Sequence, residues 1–411
     1  MSPDQEEAYG VFQSGGNLFL TGPGGTGKSH LIREMYKSVN PESIHVCALT
    51  GTAAQLLDVK GATTLHRFAG IGIGEDMFAR ATESKGSAAR WRKTEKLIVD
   101  EVSMMSRRMF EELDRIAKYL KKSALPFGGI QLVFCGDFCQ LPPVGETEFC
   151  FESDLWNTTF PNQISLVTMH RQKDSGFCKI LQEIRGGKLS KGSFDKLQRL
   201  VGPSNGAVRL VPTRSKADSI NGSAYAALEG EEHVYTALEL TAFEMTPKKG
   251  KARVRFSEAQ VQAELQRLRA RFEERLKIKA GTRVMCTFNI DDLTCNGSQG
   301  IVTRFASGHP VVKFKNTERI MWPCPVESDV IPGLAVSQVP LMYAWAITIH
   351  KAQGASLESA EIDIGKDVFE DGQTYVALSR LRDMDNLCLT SFDASKIRMS
   401  AKAREFYKDF E

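Results

Sequence analysis

Long apolar runs are missing: no stretch of the 411 residues approaches the length needed to cross a bilayer, so a helical membrane protein is not expected. An excess of one charge is missing too. The formal net charge is +3, so any surface for a polyanion must be local. Paired cysteine motifs are also lacking. Nine cysteines stand at 47, 135, 139, 150, 178, 286, 295, 324 and 388, and none forms a CxxC pair. Several lie in apolar runs such as Val133-Phe134-Cys135, which reads as buried thiols in a reducing compartment rather than a zinc site. No targeting segment precedes the first motif. An intracellular protein is therefore expected: nuclear or mitochondrial in a eukaryote, cytoplasmic in a bacterium or virus. The composition, 42% apolar and 25% charged, is that of a globular protein with two or three domains.

Against that background one stretch stands out. GPGGTGKS, Gly22 to Ser29, follows the apolar run Leu18-Phe19-Leu20 and precedes a predicted amphipathic helix, His30 to Val39. Strand, glycine loop and helix are the context in which this motif binds phosphate. The glycines turn backbone N–H groups inward, and the helix N-terminus adds partial positive charge. Lys28 can reach the β- and γ-phosphates of a nucleotide, and the Ser29 hydroxyl can ligate Mg²⁺. An ordinary glycine-rich turn is the alternative.

Other elements fall into place around it. Gln5 precedes the first strand and could read an adenine edge, accepting and donating at once; a solvated glutamine is the plainer reading. Leu97-Ile98-Val99 is a buried strand ending in Asp100-Glu101. Asp100 would hold Mg²⁺, and Glu101 would orient and deprotonate the attacking water. Ile130 to Cys135 is a further strand. It leads to Gln140, which could sense the γ-phosphate through that water, and to the rigid Pro142-Pro143 exit. Ile164-Ser165-Leu166 begins a second set of elements, and Arg171 after it is a candidate arginine finger. Arg380 lies one helical turn past Val376 and Ala377 and can emerge at the end of a buried face.

A second group suits nucleic acid. Thr50-Gly51 ends the strand Ile44 to Leu49 and suits backbone contact to a phosphate chain. His66 and Phe68 could stack on unpaired bases, although a lone aromatic is more often core. Residues 71–96 carry Gly72, Gly74 and a basic excursion around Trp91, either a solvated loop or a nucleic-acid contact. Met109 to Lys122 reads as a helix. Val261, Leu265, Leu268, Phe272 and Leu276 share one face of another, with a basic outer surface across Thr246 to Arg283. From 283 to 334 the pattern changes to short alternating runs with turns at Asn296-Gly297 and Ser307-Gly308, a small antiparallel β unit.

Taken in order, these stretches resemble the superfamily-one helicases, and most closely the PIF family. The run is Gln5, GPGGTGKS, LTGTAA, TTLHRFAGIG, VDEVSM, GDFCQLPPV, HRQ, AITIHKAQGASLE and YVALSR. The stretch from Phe110 to LPFGGIQ, Leu125 to Gln131, resembles the family's own signature, with Leu125 where Lys is usual. LTGTAA stands where relatives often have STGVAA.

The resemblance implies an α/β fold: two RecA-like P-loop domains, a small wedge insertion in the first and an SH3-like β insertion in the second. It implies bounds of 1–155 for the first domain, with the wedge at about 71–96. The second would run over 156–282 and 337–411, around an insertion at 283–336. It implies ATP as substrate with Mg²⁺, held by Gln5, Gly22, Gly24, Gly25, Thr26, Gly27, Lys28, Ser29, Gln353 and Gly354. Ser29 and Asp100 would take the metal. Lys28, Glu101, Gln140, Arg171 and Arg380 would carry the chemistry. Single-stranded DNA would touch Thr50, Gly51, Thr64, His66, Phe68, Pro142, His350 and Lys351. The implied protein is a monomer off DNA, away from membranes, and moves five-prime to three-prime on single-stranded or tailed duplex DNA. It would open duplexes, RNA–DNA hybrids and G-quadruplexes in genome maintenance, repair and recombination. The β insertion would wall the DNA channel without touching ATP. A superfamily-one RNA helicase, or a P-loop ATPase that remodels protein, are the alternatives.

Overall fold

Short apolar runs separated by glycine-rich turns build the first sheet of the computed structural model. It describes residues 1–410 except 72–75, 173, 204–205, 242–256, 270–271, 289, 292–293, 295–296, 316, 329–330 and 332. Gly72, Gly74, Asn296 and the basic stretch 246–256 thus lie outside the described residues. The chain runs α1 (Pro3–Gln13), β1 (Leu18–Thr21), α2 (Lys28–Lys37), β2 (Ile44–Ala48), α3 (Gly51–Leu56), β3 (Thr63–Thr64) and α4 (Leu65–Ala69). Then come α5 (Met77–Glu83), α6 (Lys85–Lys93), β4 (Lys96–Asp100), α7 (Arg107–Lys121), β5 (Gln131–Cys135), α8 (Trp156–Thr159) and β6 (Asn162–Ser165).

All six strands are parallel, in the order β3-β2-β4-β5-β1-β6. A parallel sheet is covered on both faces, so its inner strands β1, β2, β4 and β5 are mostly apolar and buried. On β1, Leu18 and Leu20 join Leu31, Ile32 and Met35 on one face; Phe19 joins Phe134, Phe138 and Trp156 on the other. Because the strands share one direction, the loops after β1, β4 and β5 leave from one edge. Open α/β sheets bind ligands at that edge.

β6 corrects the sequence reading. The run at Ile164 does not begin a second set of elements; Asn162 to Ser165 lie beside Leu18 to Thr21 as the edge of the first sheet. The signature element is structural. Asp114 of α7 accepts from the Phe127 N–H at 2.8 Å, and Phe127 is buried against Phe110.

α9 (Ser175–Arg185), α10 (Lys191–Arg199) and β7 (Arg209–Val211) follow, and α11 (Arg214–Ala226) leads into a second compact unit. One unit holds residues 1–216 and 347–411; the other holds 217–346. The latter contains β8 (His233–Thr236), β9 (Leu238–Thr241), α12 (Glu258–Arg269), β10 (Arg275–Ile278), β11 (Arg283–Cys286) and β12 (Gln299–Ala306). It continues through β13 (His309–Phe314), β14 (Glu318–Ile320), β15 (Cys324–Glu327), β16 (Leu334–Gln338) and β17 (Leu341–Tyr343). Its pairings are antiparallel: β14-β13-β12-β11-β17, β15-β16-β9 and β10-β8. Two expectations change here. The helix is described over Glu258–Arg269, Phe272 is not part of it, and Leu276 is a buried position of a strand in which Arg275 and Lys277 are exposed. The bounds 283–336 cut β16 and omit β17, β8, β9 and β10, which pair inside the same unit.

The chain returns through β18 (Ala346–Thr348), β19 (Ala360–Ile364), α13 (Gln373–Leu378), β20 (Leu387–Phe392) and α14 (Ala401–Tyr407). The second sheet has the order β18-β7-β19-β20, with β7, β19 and β20 parallel. α14 does not stay with that sheet. Its Ala403 and Tyr407 enter the aromatic core of the first. Among the described residues no helix is long and apolar enough to cross a membrane.

Candidate nucleotide and nucleic-acid site

The loop after β1 is held open by contacts that only glycine permits. Gly27 has φ +87°, and a Cβ there would lie 2.6 Å from the Gln5 amide nitrogen. That amide donates to the Thr26 carbonyl at 3.2 Å, so Gln5 is fastened to the loop and buried. Gly25 has φ +99°; a Cβ would collide with the Arg171 Cβ and the Gln172 amide oxygen. The Lys28 ammonium folds back on the Gly22 and Pro23 carbonyls at 2.7 and 3.0 Å.

Across the loop lie the acids. The Ser29 hydroxyl faces Asp100 at 3.5 Å. Burial, then the neighbouring Glu101 charge, raises the Asp100 pKa to about 6. A buried carboxylate that resists ionising beside a hydroxyl is a hard-oxygen pair suited to Mg²⁺. Glu101 has φ +58°, an uncommon conformation for a side-chain-bearing residue, and it turns the chain sharply off β4. Its carboxylate accepts from the Gln353 amide at 3.0 Å. A Cβ on Gly354 would lie 3.6 Å from the same carboxylate, so the stretch after β18 closes on the end of β4.

The two arginines meet there. Arg171 donates to the Ser379 carbonyl at 3.2 Å. Arg380 is buried and donates to the Val376 and Ala355 carbonyls and the Ser379 hydroxyl. Burial, then the Arg171 charge, lowers the Arg380 pKa to about 10; burial also lowers that of Arg171. Two guanidiniums held close in a buried place fit an anion. The side-chain oxygens of Gln140, Gln172 and Gln353 are buried and without a hydrogen-bond partner in the described structure, as expected where water or ligand completes a site.

Several participants escaped the sequence reading. Gln172 stands in the HRQ motif and Tyr375 in YVALSR, but neither was given a role; the Tyr375 hydroxyl accepts from the Gly24 N–H at 2.8 Å. Asp137, fully buried after β5, accepts two short bonds from Arg185 of α9, 3.0 and 2.9 Å. Burial opposes its charge, but the guanidinium holds its carboxyl below the usual carboxylate range. The Tyr407 hydroxyl touches Thr21 at 2.6 Å, receives the Phe138 N–H at 3.1 Å and donates to Asp137 at 3.3 Å. Asp137 was visible in GDFCQ; nothing in the sequence marked Arg185 or Tyr407.

The DNA candidates divide. Thr50 and Thr64 cap α3 and α4, accepting from the Ala53 and Arg67 N–H groups. They stand with Gly51 at the carboxyl ends of the paired strands β2 and β3. His66 and Pro142 are half-buried, and burial lowers the His66 pKa. His350 is half-buried beside Phe369, while Lys351 is exposed. Phe68 is a correction. It is 2% exposed, with its ring 5.0 Å from His45 and 4.8 Å from Trp91, so no face is open to a base. Trp91 is likewise core, its indole N–H donating to the Ala69 carbonyl. The excursion 71–96 therefore buries its tryptophan and leaves Arg92 and Lys93 outside.

Residues 1–193 match the family model described as PIF1-like helicase. The crystal structure of Pif1 helicase from Candida albicans is 34% identical, with TM-score 0.84, covering 100% of this chain and 99% of that one. Bacteroides sp Pif1 in complex with ADP-AlF4 is 26% identical, with TM-score 0.75, covering 100% and 96%. The ATP-dependent DNA helicase PIF1 of Xenopus laevis is 33% identical over 100% of this chain. The match spans 64% of that relative, so the chain corresponds to somewhat under two thirds of its length.

Proposed function

The chain belongs to the PIF1-like helicase family, and from that premise we propose that it is an ATP-dependent DNA helicase. The observation that carries the reading is the meeting of Lys28, Asp100, Glu101, Arg171 and Arg380 around one glycine loop, drawn from the ends of two RecA-like sheets. The loop amides and Lys28 bind the phosphates. Gln5 holds the loop and addresses the base. Ser29 and Asp100 would hold Mg²⁺, which supplies charge neutralisation on the phosphates when bound. Glu101 orients a water and takes its proton, with Gln140 and Gln353 fixing positions around it. Arg171 and Arg380 stabilise the charge that develops on the transferred group.

Residues from both sheets line the pocket, so binding and hydrolysis can draw the domains together and release them. Opening one base-pair step costs about 1.4 kcal/mol, a modest load for each cycle. A related structure of Bacteroides Pif1 bound to single-stranded DNA, and another described as unwinding at forked duplex DNA by two coordinating Pif1 helicases, support a DNA track. We assign Thr50, Gly51, Thr64, His66, Pro142, His350 and Lys351 to that track. Movement is five-prime to three-prime, by a protein monomeric off DNA, on duplexes, RNA–DNA hybrids and G-quadruplexes. Unwinding of forked duplexes carrying only one tail tests this. Opening is expected with the five-prime tail alone. Opening only with a three-prime tail, or hydrolysis stimulated only by RNA, would overturn it.

A further inference from the structure

We propose that the Tyr375 hydroxyl is a third donor to the terminal phosphate of bound ATP, beside Arg171 and Arg380; this rests on the ATP reading above. Tyr375 lies on α13, one turn before Ser379 and Arg380, and is 2% exposed. Its oxygen accepts the Gly24 N–H at 2.8 Å. It therefore sits on the lip of the loop that wraps the phosphates, not in the general core. A Cβ on Gly24 would lie 3.7 Å from the same oxygen and 3.6 Å from Ser379, so the loop runs against this turn of helix.

A phenol can accept and donate at once. Here the accepting half is used. Among the described residues no acceptor takes the hydroxyl proton: the Gly24 bond is the one hydrogen bond the oxygen makes. Leaving a buried donor unmade costs about 1–3 kcal/mol, so such a donor points to a missing partner. What that partner is follows from the surroundings. Arg171 donates to the carbonyl of Ser379, Arg380 to its hydroxyl, and Lys28 lies on the same loop, while the one carboxylate whose charge reaches the phenol, Asp137, is engaged by Arg185. An acceptor welcome among three cations is anionic. The loop beside it is built for phosphate. Burial, followed by the charge of Asp137, pushes the phenol pKa up, so the proton stays in place at neutral pH. Tyr375 can keep its bond to Gly24 while donating to a phosphate oxygen.

The alternative is that Tyr375 merely props the loop, for which the accepting half suffices. Tyr375→Phe separates the two. It keeps the ring and removes the hydroxyl. DNA-stimulated hydrolysis should fall about 10- to 100-fold, below the upper range for a lost transition-state donor. Affinity for a non-hydrolysable ATP analogue should weaken several-fold while ADP affinity stays within about twofold, since ADP lacks the phosphate concerned. Equal weakening for both nucleotides, or unchanged turnover, overturns the proposal. Should the Phe variant not fold, 3-fluorotyrosine at 375 provides a second readout. Its fluorine resonance should shift with the triphosphate analogue and not with ADP; the same response to both overturns the proposal. A parent protein without ATPase would sink the functional reading instead, and an active parent with an unaffected Phe variant sinks only this inference.

Discussion

The unit of parallel sheets and the unit spanning 217–346 solve the same problem, burying apolar strands, in opposite ways. In the first, every strand of the six-stranded sheet points one way, so chemistry gathers at one edge: Gly22 and Gly136 each follow a strand end, and Asp100 ends β4. In the second, partners run against each other and come from far apart in sequence. β9 pairs with β16, β8 with β10 and β11 with β17. Antiparallel ladders spread their loops over both ends and give no single collecting edge. A unit that concentrates function is therefore expected to lose activity through single side chains, and one that distributes contacts to lose only stability.

The largest test of that contrast is Lys28→Ala. Hydrolysis should drop to background while single-stranded DNA binding persists, because the Lys28 ammonium hydrogen-bonds to the carbonyls of the phosphate loop; loss of DNA binding in a folded variant would blur the division of labour. Next is Arg380→Ala, which should bind ATP yet turn over about 10³-fold more slowly, the scale of an arginine finger. Wild-type turnover would remove it from the site. Phe68→Ala sharpens the comparison within the first unit. It should cost about 3–5 kcal/mol of stability, as for other large core aromatics, with DNA affinity unchanged in the folded fraction. A tenfold loss of affinity at unchanged melting temperature would restore a stacking role.

Asp137→Asn should cost about 3 kcal/mol, because Arg185 is left as an uncompensated buried charge. In the folded protein the carboxyl titrates below its ordinary value of 3.8. Its contribution is thus full above pH 3.8 and is lost as the pH falls through the folded value. Parent and variant melting temperatures should converge only as the pH falls below 3.8 and through the folded value; a gap that stays constant would show that charge is not the cause. The smallest effect belongs to the second unit. Ile278→Val, at a fully buried position of β10, should cost about 0.5–1.5 kcal/mol. The rate of ATP hydrolysis should be untouched, and a fall in that rate would break the contrast.

Much of the first unit was legible because parallel strands are continuous apolar runs and their exits carry marked residues. Leu97 to Val99 followed by Asp100-Glu101 could be read directly. The run at Ile164 was misassigned because strand order is not sequence order. β6 lies beside β1, which precedes it by more than a hundred residues. Leu276 was misread because Leu265, Leu268, Phe272 and Leu276 fit a helical period, while strand pairing with Tyr235 decided otherwise. Phe68 looked free to stack because a sequence does not reveal that Trp91 and His45 close over it.

By itself, then, the sequence marked the glycine loop, the acidic pair at the end of β4 and two candidate arginines. Their chemistry is set by residue type and by position at a strand or helix end, both local properties. Only the tertiary structure decided what surrounds them. The Glu101–Gln353 bond spans 252 positions, Gly24–Tyr375 spans 351 and Thr21–Tyr407 spans 386. No periodicity or motif spacing encodes contacts at such separations. They arise because a buried donor or acceptor must find a partner wherever packing brings one within reach.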